Sequence, residues 1–342
     1  NPLLAGGEGV STSVGNDFDV DTFSSTTSAS FTVNYALGTE EGNTTTDNLG
    51  MNYDWEMALA TSFNGNDSLD VVLNAGQSAL LTELDMTHTS SVVQLDTISY
   101  TTSLGDRTTA FFASGDGVAG SALYNTACVY GAQADTFSDC GVSAANLDEG
   151  LGTALGATFD FGNGFYTGVS YEGQGMSNVG LLTDEGTDAY GAQVSYIGDS
   201  YGVSLSWANI ENHTDVTNAI GTGSTQSVGI NGYFTPDLPN FPSISAGLET
   251  NHDDSVASTS SDSTSHYFIG LQWDEFGDGT LGAAIGSKEP YAENADASTM
   301  YEVFYTYNYA DGITVTPLLY SKDNSGSTAD ETGLVLKTEF SF

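Results

Sequence analysis

The sequence predicts an all-β chain closed into a transmembrane antiparallel β-barrel of about sixteen strands. Three features predict it: apolar and polar residues alternate with period two through most of the chain, short and long connections alternate between those segments, and the last strand ends on an aromatic residue. Successive side chains of a strand point to opposite faces, so this alternation builds a wall that is greasy on one side and wet on the other. No stretch approaches the roughly 18 consecutive apolar residues of a membrane helix, which leaves a closed sheet as the means of spanning a bilayer.

The first strand is the run from Ala29 to Leu37. In the next, Met51, Tyr53, Trp55, Met57 and Leu59 alternate with Asn52, Asp54, Glu56, Ala58 and Ala60, and the turn "NGND" leads back through Leu69, Val71, Leu73 and Ala75. That is a hairpin. A pair follows around "SLGDR", where parity changes near Thr97 and signals a bulge or a miscounted strand. Further hairpins turn at "GNG" between Phe161 and Phe165, at "GDS" between Tyr196 and Tyr201, at "TPDLPNFP", at "FGDG" between Trp273 and Leu281, and at "ADG" between Tyr309 and Ile313. In the final strand Leu334, Leu336, Thr338, Phe340 and Phe342 share one face, while Lys337, Glu339 and Ser341 share the other. Fourteen or eighteen strands would strain the pattern little. Seven short and eight long connections match a bacterial barrel with short periplasmic turns and long external loops, and an aromatic last residue is typical of bacterial outer-membrane barrels. The expected organisation is an N-terminal periplasmic segment over 1–25 and a barrel over 26–342.

Lys and Arg number 4 against 45 Asp plus Glu, a formal charge of −41, while 18 Tyr and 17 Phe recur at strand ends as interfacial girdles do. Such acidity repels nucleic acid. Regular aromatic and β-branched segments argue against disorder. A soluble sandwich would place small and medium side chains where this pattern places Tyr, Phe and Trp. The start "NPLLAGGEGV" lacks the basic and apolar regions of a secretory signal, so a mature, processed chain is expected. Cys128 and Cys140 have no neighbouring His or second Cys pair to complete a zinc site, so a disulfide in an oxidising compartment is expected; closing that loop would stabilise the fold by about 3 kcal/mol.

Four stretches carry a resemblance: "DTFSSTTSASF" (21–31), "ATSFNGNDSLDVVLNAGQ" (60–77), "LDTISYTTSLGDRTTAFFASG" (95–115) and "YEVFYTYNYADGITVTP" (301–317). Together they make the chain look like the barrel portion of the cyanobacterial outer-membrane porins, which are distantly similar to carbohydrate-selective bacterial porins. The resemblance implies a homotrimeric passive diffusion channel among outer-membrane lipid and lipopolysaccharide. Members of that family usually carry a surface-layer-homology domain and a coiled coil ahead of the barrel, so the chain is expected either to begin downstream of them or to lack them. The resemblance also implies that the longest connection, 115–150, folds into the lumen as the constriction, with the Cys128–Cys140 bridge stiffening it.

The charged side chains of that loop are Asp116, Asp135, Asp139, Asp148 and Glu149, and the polar strand faces add Asp54, Glu56, Asp70, Asp160, Glu249, Glu302 and Glu339. Lys337 and Arg107 oppose them. Carboxylates around a narrow channel concentrate cations and exclude anions, so the expected activity is passive diffusion of small ions and neutral solutes with a cation preference. With one arginine in total, the chain cannot build the arginine cluster that faces the loop in many porins. The acidic loops "NHDDS" and "TDEGTD" lack the spacing of dedicated calcium motifs, which leaves diffuse Ca or Mg association and no cofactor. His88, His213, His252 and His266 lie on separate segments, so catalysis is not expected. The rival role is a structural or adhesive barrel, a surface coat or phage receptor, with little transport.

Overall fold

Period-two alternation becomes structure as seventeen strand segments in one antiparallel sheet: β1 (Thr27–Glu41), β2 (Gly50–Thr61), β3 (Asp67–Gln77), β4 (Gln94–Ser103), β5 (Thr108–Gly115), β6 (Thr153–Gly162), β7 (Phe165–Gly173), β8 (Asp188–Ile197), β9 (Tyr201–Glu211), β10 (Ser224–Phe234), β11 (Ser243–Asp253), β12 (Ser263–Phe276), β13 (Gly279–Ser287), β14 (Tyr291–Ala292), β15 (Thr299–Ala310), β16 (Ile313–Lys322) and β17 (Glu331–Ser341). β14 is a two-residue extension on β12, so sixteen strands form the wall. The computed structural model describes residues 27–342 apart from 43–47, 78–80, 82, 85, 176–179, 184–185, 212–222, 255–261, 293–296 and 324–328. The expected 1–25 segment, His213, and parts of both acidic loops (Asp184, Glu185, Ser255) lie outside the described residues.

Closure comes from β1 and β17, which pair from Thr32↔Ser341 to Glu41↔Thr332. Two further backbone bonds extend the seam: Phe31 N–H donates to Phe342 O at 2.8 Å and Phe342 N–H to Phe31 O at 3.0 Å, with the two rings stacked at 5.6 Å. A barrel without edges leaves no backbone donor or acceptor stranded in hydrocarbon. Both chain ends of the wall and the seven short turns share one rim, and the eight long connections share the other. The sixteen-strand count and the alternation of connections therefore stand.

The outer face carries the apolar set. Leu334, Leu336, Leu205, Trp207, Val228, Ile230, Tyr301 and Val303 are exposed, while their chain neighbours Val335, Ser204, Ser206, Gly229 and Glu302 are buried inside. Near the short-turn rim the rings gather in contact, with Phe159–Phe161, Phe165–Tyr196 and Tyr196–Tyr201 at 4.8–5.3 Å. The parity change near Thr97 is a bulge: Val72 faces Thr97 and Leu73 faces Leu95, so the register with β3 skips Asp96. The extra residue lets Leu95 and Ile98, three apart, both point outward.

Replacing Phe342 by Ala removes the stacked pair at the seam. It is expected to lower barrel stability by about 1 kcal/mol, read from urea unfolding of the detergent-folded protein.

Candidate pore constriction

The inner wall is built from small and polar residues at every second position: Gly168 and Ser170 on β7, Gly191 and Gln193 on β8, Ser204 and Ser206 on β9, Gly229 and Asn231 on β10, Ser245 and Gly247 on β11, Gly270 and Gln272 on β12. The connection between β5 and β6 lies against this wall. It makes a 3-10 turn at Gly120–Leu123, an extended arm, a second 3-10 segment at Asp135–Cys140 and a single helical turn at Ser143–Asn146. The Cys128–Cys140 disulfide ties the arm to the end of the second 3-10 segment across a Cα–Cα distance of 6.0 Å.

Close approach requires glycine at several wall positions. A Cβ on Gly247 would stand 1.9 Å from Cys140 O, and one on Gly229 would stand 2.0 Å from Val142 Cγ1. Glycine in a strand interior weakens the strand and marks a place where another backbone lies close.

The arm is extended, so alternate N–H groups point at the wall, and four strands each supply an acceptor. Ala127 donates to Ser204 Oγ on β9 (3.0 Å), Val129 to Ser245 Oγ on β11 (3.1 Å), Gly131 to Gln272 Oε1 on β12 (2.7 Å) and Gln133 to Glu302 Oε2 on β15 (3.1 Å). Glu302 also accepts from the Tyr130 hydroxyl at 2.8 Å and from Ala134 N–H. Two more wall glutamates hold the flanks. Glu249 accepts from Ala145 N–H at 2.9 Å, and Glu172 accepts from Gly120 and Leu151 N–H at 2.6 and 3.2 Å. Charge-assisted bonds of this kind are about twice as strong as neutral ones. Below them Phe137 packs on Phe268, and Tyr130 packs on Phe268 and Phe304.

The carboxylates expected along the lumen therefore divide. Glu302 and Glu249 are only 1% and 2% exposed and are occupied by the loop backbone, so they line no open water. Asp54 is also buried, accepting from Asn34 Nδ2 at 2.9 Å and from Thr87 N–H at 3.0 Å. Glu56 is exposed on the inner face of β2, and Asp70, Asp160 and Glu339 are half-buried on inner faces. On the loop, Asp116, Asp135, Asp148 and Glu149 are exposed and Asp139 is half-buried. Lys337 faces the loop across a cavity of about 350 Å³ lined by Tyr130, Gln133, Asp135, Asp139 and Met86, and Glu339 lies 3.9 Å from its ammonium. Arg107 sits in the short turn before β5, donating to Phe161 O at 3.3 Å beside a second cavity of about 430 Å³ that Asp160, Tyr124 and Tyr166 also line. The structure thus brings Asp135, Asp139 and Lys337 together and places Arg107 in the second cavity, beside the short turn before β5.

Two loop carboxyls titrate high. Burial first, and then Asp148 and Glu249, push Asp139 up to about 6. Water reaches Glu149, yet the protein around it desolvates the carboxyl, and Glu172, Glu249 and Asp148 add repulsion, raising it to about 7.

Sequence reasoning missed Glu172 and a buried cluster around Lys322, Glu40, Glu83 and Glu331. The inner-face glycines were the available signal for where the loop lies. One further motif, Gly198-Asp199-Ser200-Tyr201-Gly202, spells the G-x-S-x-G of a nucleophile elbow, but it forms the tight turn between β8 and β9 rather than a strand-to-helix turn. His266 is bound within the wall to Ser287 O at 2.7 Å, and His252 stands near Asp262 at an exposed loop. Among the described residues no group of three or more His, Cys, Asp or Glu is placed to hold a metal ion.

No protein-family model matches the chain, and no curated protein does. Solved structures do match in fold. The high-pH structure of Pseudomonas putida OprB superposes with a TM-score of 0.65 at 12% identity, covering 94% of this chain and 96% of that one. Salmonella typhi OmpF in complex with daunomycin gives 0.59 at 11%, covering 92% and 97%. A triple mutant of the Rh. blastica porin gives 0.55 at 13%, covering 92% and 100%. Likeness at these identities is likeness of fold, the closed sixteen-stranded barrel.

Replacing Gly247 by Val forces a side chain into Cys140 O and is expected to weaken loop docking by about 1–3 kcal/mol. Faster protease cleavage within 116–150, with the barrel still folded, would register it. Because Asp139 and Glu149 hold their protons more tightly docked than undocked, docking is favoured below the ordinary carboxylate range and weakens as pH rises through about 6 and about 7. Hydrogen exchange of the loop amides, corrected for intrinsic rate, should therefore accelerate between pH 5 and 8. Asp139→Asn with Glu149→Gln should flatten that dependence.

Proposed function

We propose that this chain is an outer-membrane porin, a passive diffusion channel for small hydrophilic solutes and ions with a preference for cations. The observation that carries the reading is the docked loop. A closed barrel with a long connection pinned to its inner wall by at least ten strand side chains has a narrowed lumen, and a cavity remains between that loop and Lys337. Fold likeness to OprB, OmpF and the Rh. blastica porin supports the same class.

Cation preference rests on the uneven charge of the passage. Asp135 and Asp139 line one cavity with Lys337, Asp106 and Asp160 line the other with Arg107, and Asp116, Asp148, Glu149 and Glu56 are further exposed carboxylates. In a narrow passage the excess of one sign raises the local concentration of counter-ions. A homotrimeric assembly and a cyanobacterial source rest on the sequence resemblance, and an outer-membrane setting with lipid and lipopolysaccharide around the aromatic belt fits the exposed apolar face. Diffuse Ca or Mg association with the acidic external loops belongs to the same proposal.

In planar bilayers at neutral pH, with potassium chloride at unequal concentrations across the membrane, the reversal potential is expected to carry the sign of cation selectivity. Anion selectivity overturns the preference. A folded, inserted barrel that conducts nothing overturns the channel and favours a structural or adhesive barrel.

A further inference from the structure

Lys322, at the inner-facing end of β16, is 2% exposed and is one of four basic residues in the chain. Its ammonium stands 2.6 Å from Glu331 Oε2 on β17, 2.9 Å from Glu83 Oε1 and 3.4 Å from Glu40 Oε1 on β1. The Tyr320 hydroxyl donates to the other oxygen of Glu40 at 2.6 Å. Glu40 and Glu331 belong to the wall, but Glu83 belongs to the connection between β3 and β4.

That connection also enters the barrel. Leu81, Leu84 and Met86 are buried and share one apolar cluster with Ala134 and Phe137 of the longer loop and with Leu318, Tyr320 and Val335 of the wall. Glu83 joins the two loops directly: its backbone oxygen accepts from Asp135 N–H at 2.9 Å, and its Oε2 accepts from the Thr136 hydroxyl at 2.8 Å. Leu84 and Met86 then form one side of the cavity whose other sides are the longer loop and Lys337.

We propose that Lys322 is a positioning residue for permeation: through Glu83 it makes the β3–β4 connection a second wall of the constriction, so that two loops rather than one set the size of the opening. Glu83 turns one carboxylate oxygen to the lysine and the other to Thr136, so the salt bridge and the contact between the loops share a single side chain. Among the described residues Lys322 is the one cation that offsets Glu40, Glu83 and Glu331; without it they would be crowded together uncompensated, which would favour release of the more weakly tethered carboxylate, that of Glu83 on the loop, rather than those of the hydrogen-bonded wall. This inference rests on the channel reading and adds to it the element that fixes the exclusion limit.

The test is single-channel conductance in planar bilayers, together with the size of polyethylene glycol that still enters the pore, for the full chain and two variants. Glu83→Ala is expected to raise conductance about twofold and to admit larger polymers, because a wall of the narrowest section withdraws. Glu331→Gln alters the same lysine's partner on β17 rather than its partner on the loop, and is expected to leave both readings at the wild-type value. A Glu83→Ala barrel that conducts and sieves as wild type overturns the inference alone. So does a Glu331→Gln barrel that widens as much as Glu83→Ala, since the cluster would then act through the wall. A wild-type barrel that passes no ions overturns the channel reading and the inference with it.

Discussion

A backbone N–H or C=O that loses water must find another partner, and this one requirement shapes both halves of the molecule. In the wall it is met by strand pairing that runs without interruption through the β1–β17 seam. Inside the barrel it is met differently. The extended arm from Ala127 to Ala134 has no strand beside it, and its inward N–H groups bond to side chains from four strands in turn. Serine, glutamine and glutamate on the wall do for the loop what a neighbouring strand does for the wall.

That division explains where the negative charge goes. A chain with 45 acidic and 4 basic residues cannot neutralise its interior carboxylates with cations. Glu172, Glu249 and Glu302 are instead held by clusters of backbone donors, which stabilise a carboxylate in place without any countercharge. Lys322 is the exception, a single buried cation shared by three glutamates. The carboxylates left over, such as Glu56, Asp135 and Asp148, face water.

The wall was legible in the sequence because the bilayer enforces a local rule. Each strand alternates regardless of its partners, so Leu334, Val335 and Leu336 reveal their faces alone, and even the bulge at Asp96 shows as a slip of parity. The site obeys no such rule. Glu56 and Glu302 have the same parity and the same chemistry, yet one faces water and the other lies under a loop. The difference depends on which arc of the wall the loop covers, a relation between residues as distant as Gln133 and Glu302. Lys322 was hidden for a similar reason: its partners come from β1, β17 and a loop that only the closed barrel brings together. The inner-face glycines on β7, β8, β10, β11 and β12 were the local trace of that arc.

The wall's hydrogen bonds to the arm go chiefly to main-chain donors, which every residue except proline possesses, with the Tyr130 hydroxyl as a side-chain donor. The hydrogen-bonding track of serine, glutamine and glutamate is thus indifferent to side-chain identity, while packing fixes the buried Ala127, Tyr130 and Ala134. On the proposed channel reading, side chains on the opposite edge of the arm are the ones that meet a permeating solute, and they can vary without loosening the mount. On that reading the barrel separates anchorage from filtering, with the filter as an insert seated in a fixed socket.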